Sequence, residues 1–290
     1  AGGLIIAVSL PMGVMGSAGK SIFEPNAFIH IAENGDTTLY CGRCEMGQGI
    51  STALPAAVAD ELEADWKRVT VLQGDADAKY GPQDTGGSQS IKKMLEPMRK
   101  AGAAGKEVLI ASAAMTWNLP VEKCYAKLHA VYNHVDDRSL AYGELVAAAG
   151  DIPAPEEPRL KTRDQFRYIG KSLQRHDQRD MAIGKRIYGA DKKVPGVKYA
   201  AVRHVPVLGG SVKSVDKSRV LAMQGVMDVV EIPHFENTFA SIGGVAVVAD
   251  NTWIAQEALS KLEIEFDLGE NTSHNTDDYK KQLVRNVEAP

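Results

Sequence analysis

The sequence predicts an α+β fold, and three observations lead there. Short alternating apolar runs bounded by turn residues recur from residue 27 onward. After residue 89 a long stretch repeats its apolar residues at helical spacing. Beyond residue 196, strand-like and helix-like segments follow one another. Strands carry a period of two and helices a period near 3.6, so the mixture reads as sheets covered by helices.

The elements follow in order. Residues 27–32 (AFIHIA) and 37–41 (TTLYC) flank Asn34-Gly35-Asp36, a strong hairpin signal. From Gly47 to Asp65 the pattern turns helical, with Ile50, Ala53, Leu54, Ala57 and Leu62 near one face and Pro55 as a first-turn or kink residue. Residues 68–73 (RVTVLQ) read as a strand. A loop, GDADAKYGPQDTGG, leads into a long helix in which Ile91, Met94, Leu95, Met98, Ala101, Val108 and Leu109 recur. Its methionines read as core packing rather than as a cofactor box. Asn118-Leu119-Pro120 stops that helix, and 142–150 is a short one.

Residues 151–158 (DIPAPEEP) carry three prolines and three acids, which reads as a linker. The expected organisation is an apolar leader at 1–20, a first domain at 21–150, a linker at 151–164, a second domain at 165–270 and the start of a further segment at 271–290. Within the second domain, 197–203, 211–215, 226–232, 244–249 and 263–267 read as strands, with helices at 216–224 and 251–262. Asp250 or Asn251 can cap the latter. The polar tail from 271 onward reads as extended.

Composition narrows the function. The chain of 290 residues is 44% hydrophobic and 24% charged, enough for sizeable cores in one large or two modest domains. A net charge of −4 argues against non-specific nucleic-acid binding, which needs a basic face. Cys41, Cys44 and Cys124 are too few for a disulfide framework. Cys41-x-x-Cys44 lacks the second ligand pair that zinc requires, so two small residues beside a glycine-rich turn is the simpler reading. The apolar, uncharged start AGGLIIAVSLPMGVMG is too short to span a bilayer. It resembles the core of an export signal, with a buried strand or terminal arm as the alternative. No Gly-x-Ser-x-Gly elbow is present and the histidines are scattered. The acidic pair Asp75 and Asp77 reads as a solvated turn.

Two segments carry chemistry. In Gly42-Arg43-Cys44-Glu45-Met46-Gly47-Gln48-Gly49, between a strand and a helix, glycines let a backbone approach an anion, and free N–H groups at the helix start favour negative charge. Gln48 offers a donor and an acceptor to a polar ring or oxo group. A plain structural turn explains the same residues. The second segment, Asp84-Thr85-Gly86-Gly87-Ser88-Gln89-Ser90, presents hydroxyls and backbone N–H groups just before a helix. An ordinary helix cap is its alternative.

Taken together, these segments resemble one family. Glu-Met-Gly-Gln-Gly, a helix, a Val-Thr-Val strand and Thr-Gly-Gly-Ser-x-Ser before a long helix are similar to the molybdenum hydroxylases, the xanthine dehydrogenase and aldehyde oxidase family. Further matches are Ile169-Gly170-Lys171, the run from Gly184 to Asp191, Val194-Pro195-Gly196, the run from Gly243 to Asp250 and the helix from Trp253 to Leu262, which resemble that family's hammerhead domain. The resemblance covers roughly residues 22–270. Here the Glu-Met-Gly-Gln-Gly segment precedes the hammerhead-like part. That permuted order resembles the branch of isoquinoline 1-oxidoreductase β-subunits and membrane-bound aldehyde dehydrogenases. Cys44 stands where a Ser, Thr or similar small residue is common.

The resemblance implies a partial molybdopterin-binding domain followed by a hammerhead domain. It implies cofactor contacts from Gly47, Gln48, Gly49, Thr85, Gly86, Gly87, Ser88 and Ser90, with no direct protein ligand to the metal. The implied cofactor is molybdopterin cytosine dinucleotide with molybdenum, and the implied reaction is hydroxylation of an aldehyde or N-heteroaromatic by water. An aldehyde dehydrogenase is the first expectation and an isoquinoline 1-oxidoreductase-like enzyme the second. The family's base glutamate and Gly-Phe-Gly loop match nothing here, and Glu45 reads as structural. Implied partners are a small [2Fe-2S] subunit, a cytochrome c subunit and the remainder of the molybdopterin-binding domain, in a periplasmic, membrane-associated setting. The competing expectation is a non-catalytic cofactor-binding or assembly module.

Overall fold

In the computed structural model, residues 3–6, 28–234 and 242–289 are described. Most of the apolar leader expected at 1–20 lies outside them. Its residues 3–6 form a strand, β1 (Gly3–Ile6), which pairs antiparallel with β2 (Ile29–Ala32). The Asn34-Gly35 signal produces the expected hairpin. β2 and β3 (Thr37–Cys41) pair with Ile29 opposite Leu39, and Gly35 turns at φ 85°. Asn34 Oδ1 accepts the Asp36 N–H at 3.0 Å, closing the turn locally. From β3 the chain passes through α1 (Ile50–Glu61) to β4 (Val69–Gln73), which lies parallel to β3 and completes a four-stranded sheet.

α2 (Gln89–Trp117) packs on α1, and the approach is close because the facing residues are small. A Cβ added to Gly102 would lie 2.4 Å from the Val58 carbonyl oxygen. Met94 and Met98 are buried in the core with Leu54, Val58, Leu62 and Leu109, as the helical spacing predicts. Asn118, in the left-handed region, ends α2. A small sheet of β5 (Cys124–Lys127), β6 (Ala130–Asn133) and β7 (Ser139–Ala141) follows, then α3 (Tyr142–Ala149). Asp77 accepts the Lys79 N–H and caps the turn at 78–80, the structural role expected of that loop.

The division of the chain differs from the expected linker at 151–164. One compact unit runs to Arg186 and the other begins at Ile187. Residues 159–177 belong to the first unit because buried carboxylates of α1 and its C-terminal turn hold them. Asp60, with no exposed side chain, accepts the N–H groups of Arg167, Tyr168 and Ile169 and the Lys161 ammonium at 3.0 Å. Burial alone would raise the Asp60 carboxyl, but those donors outweigh it and hold it below the usual range. Glu61 pairs with Arg99 at 2.7 Å, and Glu63 pairs with Lys161 at 2.6 Å and Arg167 at 2.7 Å. Irregular backbone carries unpaired N–H groups, and here a buried anion satisfies them. A short helix, α4 (Gln178–Ala182), ends this unit.

The second unit has the strands and helices expected of it. β10 (Val226–His234) and β8 (Tyr199–His204) flank β11 (Ile242–Ala249), while β9 (Ser211–Asp216) pairs with β12 (Glu263–Asp267). α5 (Ser218–Leu221) and α6 (Thr252–Lys261) complete it. Val220, Val229, Val245, Val247, Ala258 and Leu262 form its core. Asn251, of the two candidates, caps α6 through the Ile254 N–H. The tail expected to be extended is instead helical, α7 (Thr276–Glu288). Asn275 caps it and Asp277 and Asp278 complement its N-terminal dipole.

Candidate functional site

The two glycine-rich segments, 35 or more positions apart in sequence, meet at one end of the α1–α2 pair in the first unit. The first leaves β3 and enters α1, and the second enters α2. Tyr80 anchors the approach to the second. Its side chain fills the space a Cβ would need at Gly42 (2.9 Å) and at Gly74 (2.8 Å), and its ring lies 5.9 Å from that of Phe28. Arg43 is completely buried beneath the junction, and its Nη1 donates to the Asp84 carbonyl and lies 3.4 Å from the Asp84 carboxylate. Thr85 Oγ1 donates to the Cys44 carbonyl at 3.4 Å. These contacts stitch one loop to the other.

The turn itself is built around Glu45. Its side chain is 1% exposed. Oε1 accepts the N–H groups of Gly47 at 2.8 Å and Gly49 at 2.9 Å, and Oε2 accepts the N–H of Ser51 at 2.9 Å and its hydroxyl at 2.8 Å. Burial would raise the carboxyl; the donors of Gly49, Ser51 and Gly47 outweigh it and bring it down from 4.5 to about 2. Gly47 (φ 103°) and Gly49 (φ 85°) adopt the left-handed backbone that points these N–H groups inward. The free N–H groups expected at the start of α1 are therefore occupied by an anion from within the turn. Glu45 is structural, as its place in the motif suggested. The two cysteines sit in different surroundings: Cys44 is exposed, while Cys41 is buried, which pushes its thiol up to about 11.

Gln48 lies at the exposed crest. Its Oε1 accepts the Met46 N–H at 2.6 Å and its Nε2 donates to the Cys44 carbonyl at 2.9 Å. Each group keeps further capacity, a second lone pair and a second N–H, for a ligand. Across from it, Gly87 (φ 55°) and Ser88 (φ 57°) open α2, and the Ser88 side chain makes no capping bond. The first-turn N–H groups of a helix have no intrahelical acceptor, so this end remains receptive to an anion.

Of the residues singled out in the sequence, Gln48, Gly49, Thr85, Gly86, Gly87, Ser88 and Ser90 line one cavity of about 430 Å³, with Met46, Ile50, Ala53, Gln89 and Ile91. Gly47 is not among the lining residues; its carbonyl faces Arg175 at 2.8 Å. A second cavity of about 390 Å³ shares Gly49, Ala53 and Ile91 with the first and continues between α1, α2 and residues 168–175. Lys92 and Lys93 are exposed. The residues that sequence reasoning missed are Arg43, whose buried Nε and Nη2 have no protein partner among the described residues, and the Arg175-His176-Asp177 run. His176 donates its N–H to Thr52 Oγ1 at 3.3 Å, and its ring lies 3.1 Å from Ser51 Oγ. Arg43 sat inside a quoted motif, but no periodicity or spacing marks the run at 175–177.

The donor set lining the cavity fits an anionic ligand with a polar ring: hydroxyls, glycine backbone and an open helix start. Comparison with known proteins agrees. The molybdopterin cofactor-binding domain family matches residues 3–191, a span that contains both turns and the Arg175 run. The chain is 31% identical over 281 residues to isoquinoline 1-oxidoreductase subunit beta of Brevundimonas diminuta, covering 82% of this chain and 35% of that protein. It is 32% identical over 279 residues to a membrane-bound aldehyde dehydrogenase (pyrroloquinoline-quinone) of Gluconacetobacter polyoxogenes, covering 92% of this chain and 35% of that one. Among solved structures, quinoline 2-oxidoreductase from Pseudomonas putida 86 matches 42% of this chain and 15% of its own at 19% identity, with a TM-score of 0.35. This chain belongs to the molybdopterin cofactor-binding domain family, within the molybdenum hydroxylases that its motifs resemble. It spans about a third (35%) of the length of the curated relatives it matches.

Proposed function

We propose that this chain serves in the molybdenum-binding subunit of an oxidoreductase that hydroxylates an aldehyde or an N-heteroaromatic. The observation that carries the reading is the convergence of two glycine turns on one cavity of about 430 Å³ between the starts of α1 and α2. Thr85, Gly86, Gly87, Ser88 and Ser90 would hold the anionic part of a molybdopterin, and Gln48 with Gly49 the face toward its metal, with Gly47 held from behind by Glu45 and Arg175. When bound, molybdenum and pterin would supply the redox chemistry. The chain's own residues bind and orient: Glu45 fixes the turn, and the buried Arg43 ties it to Asp84 at the root of the second loop.

The names of the two curated relatives support the substrate classes, with aldehydes first and N-heteroaromatics second. The name subunit beta supports partner chains. The cytosine dinucleotide form, a [2Fe-2S] partner that receives the electrons, a cytochrome c subunit, a hammerhead role for the 165–270 region and a periplasmic, membrane-associated location rest on the resemblance of the sequence. The deciding experiment is metal analysis of the protein purified with its native partners. About one molybdenum per copy of this chain, with iron and a released pterin, is the expected result. A folded preparation without molybdenum overturns the reading; bound quinone in its place would follow the name of the second relative.

A further inference from the structure

We infer that Arg175 is a positioning residue for the cofactor turn: it holds the 45–49 backbone in its ligand-ready shape. This rests on the proposed function for what the turn receives, but the geometry stands by itself. Arg175 Nη1 donates to the Gly47 carbonyl at 2.8 Å and Nη2 to Glu45 Oε1 at 3.3 Å. The same guanidinium is aimed by Asp177, whose carboxylate, 2% exposed, receives Nε at 3.2 Å and Nη2 at 3.4 Å. One planar fork therefore touches the carbonyl outside the turn, the carboxylate inside it and its own anchor. A lysine, with a single ammonium at the end of a flexible stem, cannot make all three contacts at once.

The next residue braces the same place. The His176 backbone donates to Thr52 and its ring meets the Ser51 hydroxyl, so the run is fixed to the start of α1 as well as to the turn. Among the described residues, Arg175 is the hydrogen-bond donor seen on the Gly47 carbonyl. With φ at 103°, Gly47 belongs to a backbone region that only glycine enters freely, and the peptide after it can rotate unless its oxygen is held. Gln48, whose amide the proposed function directs at the cofactor, is the next residue. Arg175 thus holds the peptide from which Gln48 departs, while the Gln48 amide itself is held by the Met46 N–H and the Cys44 carbonyl.

The test uses the full chain and its holoenzyme with Arg175→Gln and Arg175→Lys. Amide hydrogen exchange in the cofactor-free chain compares Gly47, Gly49 and Ser51 with Val58 and Leu109 of the core. Loss of charge-assisted bonds at the turn is expected to speed exchange at the three turn amides about tenfold in Arg175→Gln, with the core amides unchanged and partial recovery in Arg175→Lys. Molybdenum release from the holoenzyme is expected to quicken in the same order. Unchanged turn amides, an equal increase in the core, or unchanged metal release from a molybdenum-containing enzyme overturns the inference. Should Arg175→Gln fail to fold, Arg175→Lys carries the same comparison. A wild-type protein without molybdenum defeats the proposed function instead, and the exchange measurement alone then decides the role of Arg175.

Discussion

Glu45→Gln isolates what the buried carboxylate does. Both oxygens of Glu45 face donors, Gly47 and Gly49 on one side and Ser51 on the other. A glutamine amide must turn its NH2 toward one of these sets, so in either orientation at least one backbone N–H meets another donor. The drop of the carboxyl from 4.5 to about 2 corresponds to about 3 kcal/mol of preference for the anion in the folded chain. For a unit of this size that loss lowers the melting temperature by roughly 6–12 °C. Because the folded value is depressed, the contribution is complete above pH 4.5 and is lost as pH falls toward 2. Calorimetric scans of both proteins from pH 7 to pH 3 read both effects: a lower melting temperature at neutral pH and a shallower acid limb in the variant. A melting temperature within about 1 °C of wild type at pH 7, with the acid limb intact, refutes the account of Glu45 as the turn's organising anion.

Three further outcomes are expected. His129 is buried, with Nδ1 accepting the Asp65 N–H at 2.6 Å and Nε2 beside Thr37 Oγ1 at 2.9 Å. Burial pushes its imidazole from 6.5 down to about 4, so its neutral form adds about 3 kcal/mol above pH 6.5 that fades as pH falls toward 4. His129→Asn, which keeps an acceptor for Asp65, is expected to flatten urea stability across that window; an unchanged slope rejects the assignment. Gly102→Ala drives a methyl against the Val58 carbonyl, 2.4 Å away, and should cost about 1–3 kcal/mol in urea unfolding. Ser88→Ala with Ser90→Ala should leave stability within about 0.5 kcal/mol, since Ser88 does not cap α2, while lowering molybdenum per chain; full molybdenum retention counts against these hydroxyls.

Much of this architecture was legible because local rules and tertiary packing agree. Asn34-Gly35 specifies a turn whatever surrounds it, and the strands on either side pair in the register their apolar residues require. The stop of α2 at Asn118 and the cap of α6 at Asn251 are equally local. α7 was missed because Tyr279, Leu283 and Val287 are spaced four apart among charged residues, and the low hydrophobicity concealed the capping signal of Asn275. The end of the first unit was missed for another reason. A proline-rich run excludes regular structure, but it does not say where the irregular backbone after it goes, and Asp60 captures the N–H groups of Arg167, Tyr168 and Ile169 from a helix about a hundred positions away. Arg175 belongs to the same class, since its partners are 128 and 130 residues distant.

The two helix starts at the site do different work. Both helices enter through a left-handed residue, Gly49 for α1 and Ser88 for α2, and neither carries an acidic residue in its first turn. At α1 the anion is already present as Glu45, held by five donors once Arg175 is included. A second anion arriving there would face a carboxylate that stays charged well below neutral pH. At α2 the Ser88 hydroxyl makes no capping bond and, among the described residues, no carboxylate occupies the helix start, the Asp84 carboxylate at the root of the loop being paired with Arg43. On the proposed function, negative charge on the cofactor therefore belongs with residues 85–90. The Glu-Met-Gly-Gln-Gly turn then contributes shape and the Gln48 amide, its own charge having been spent on making that shape rigid.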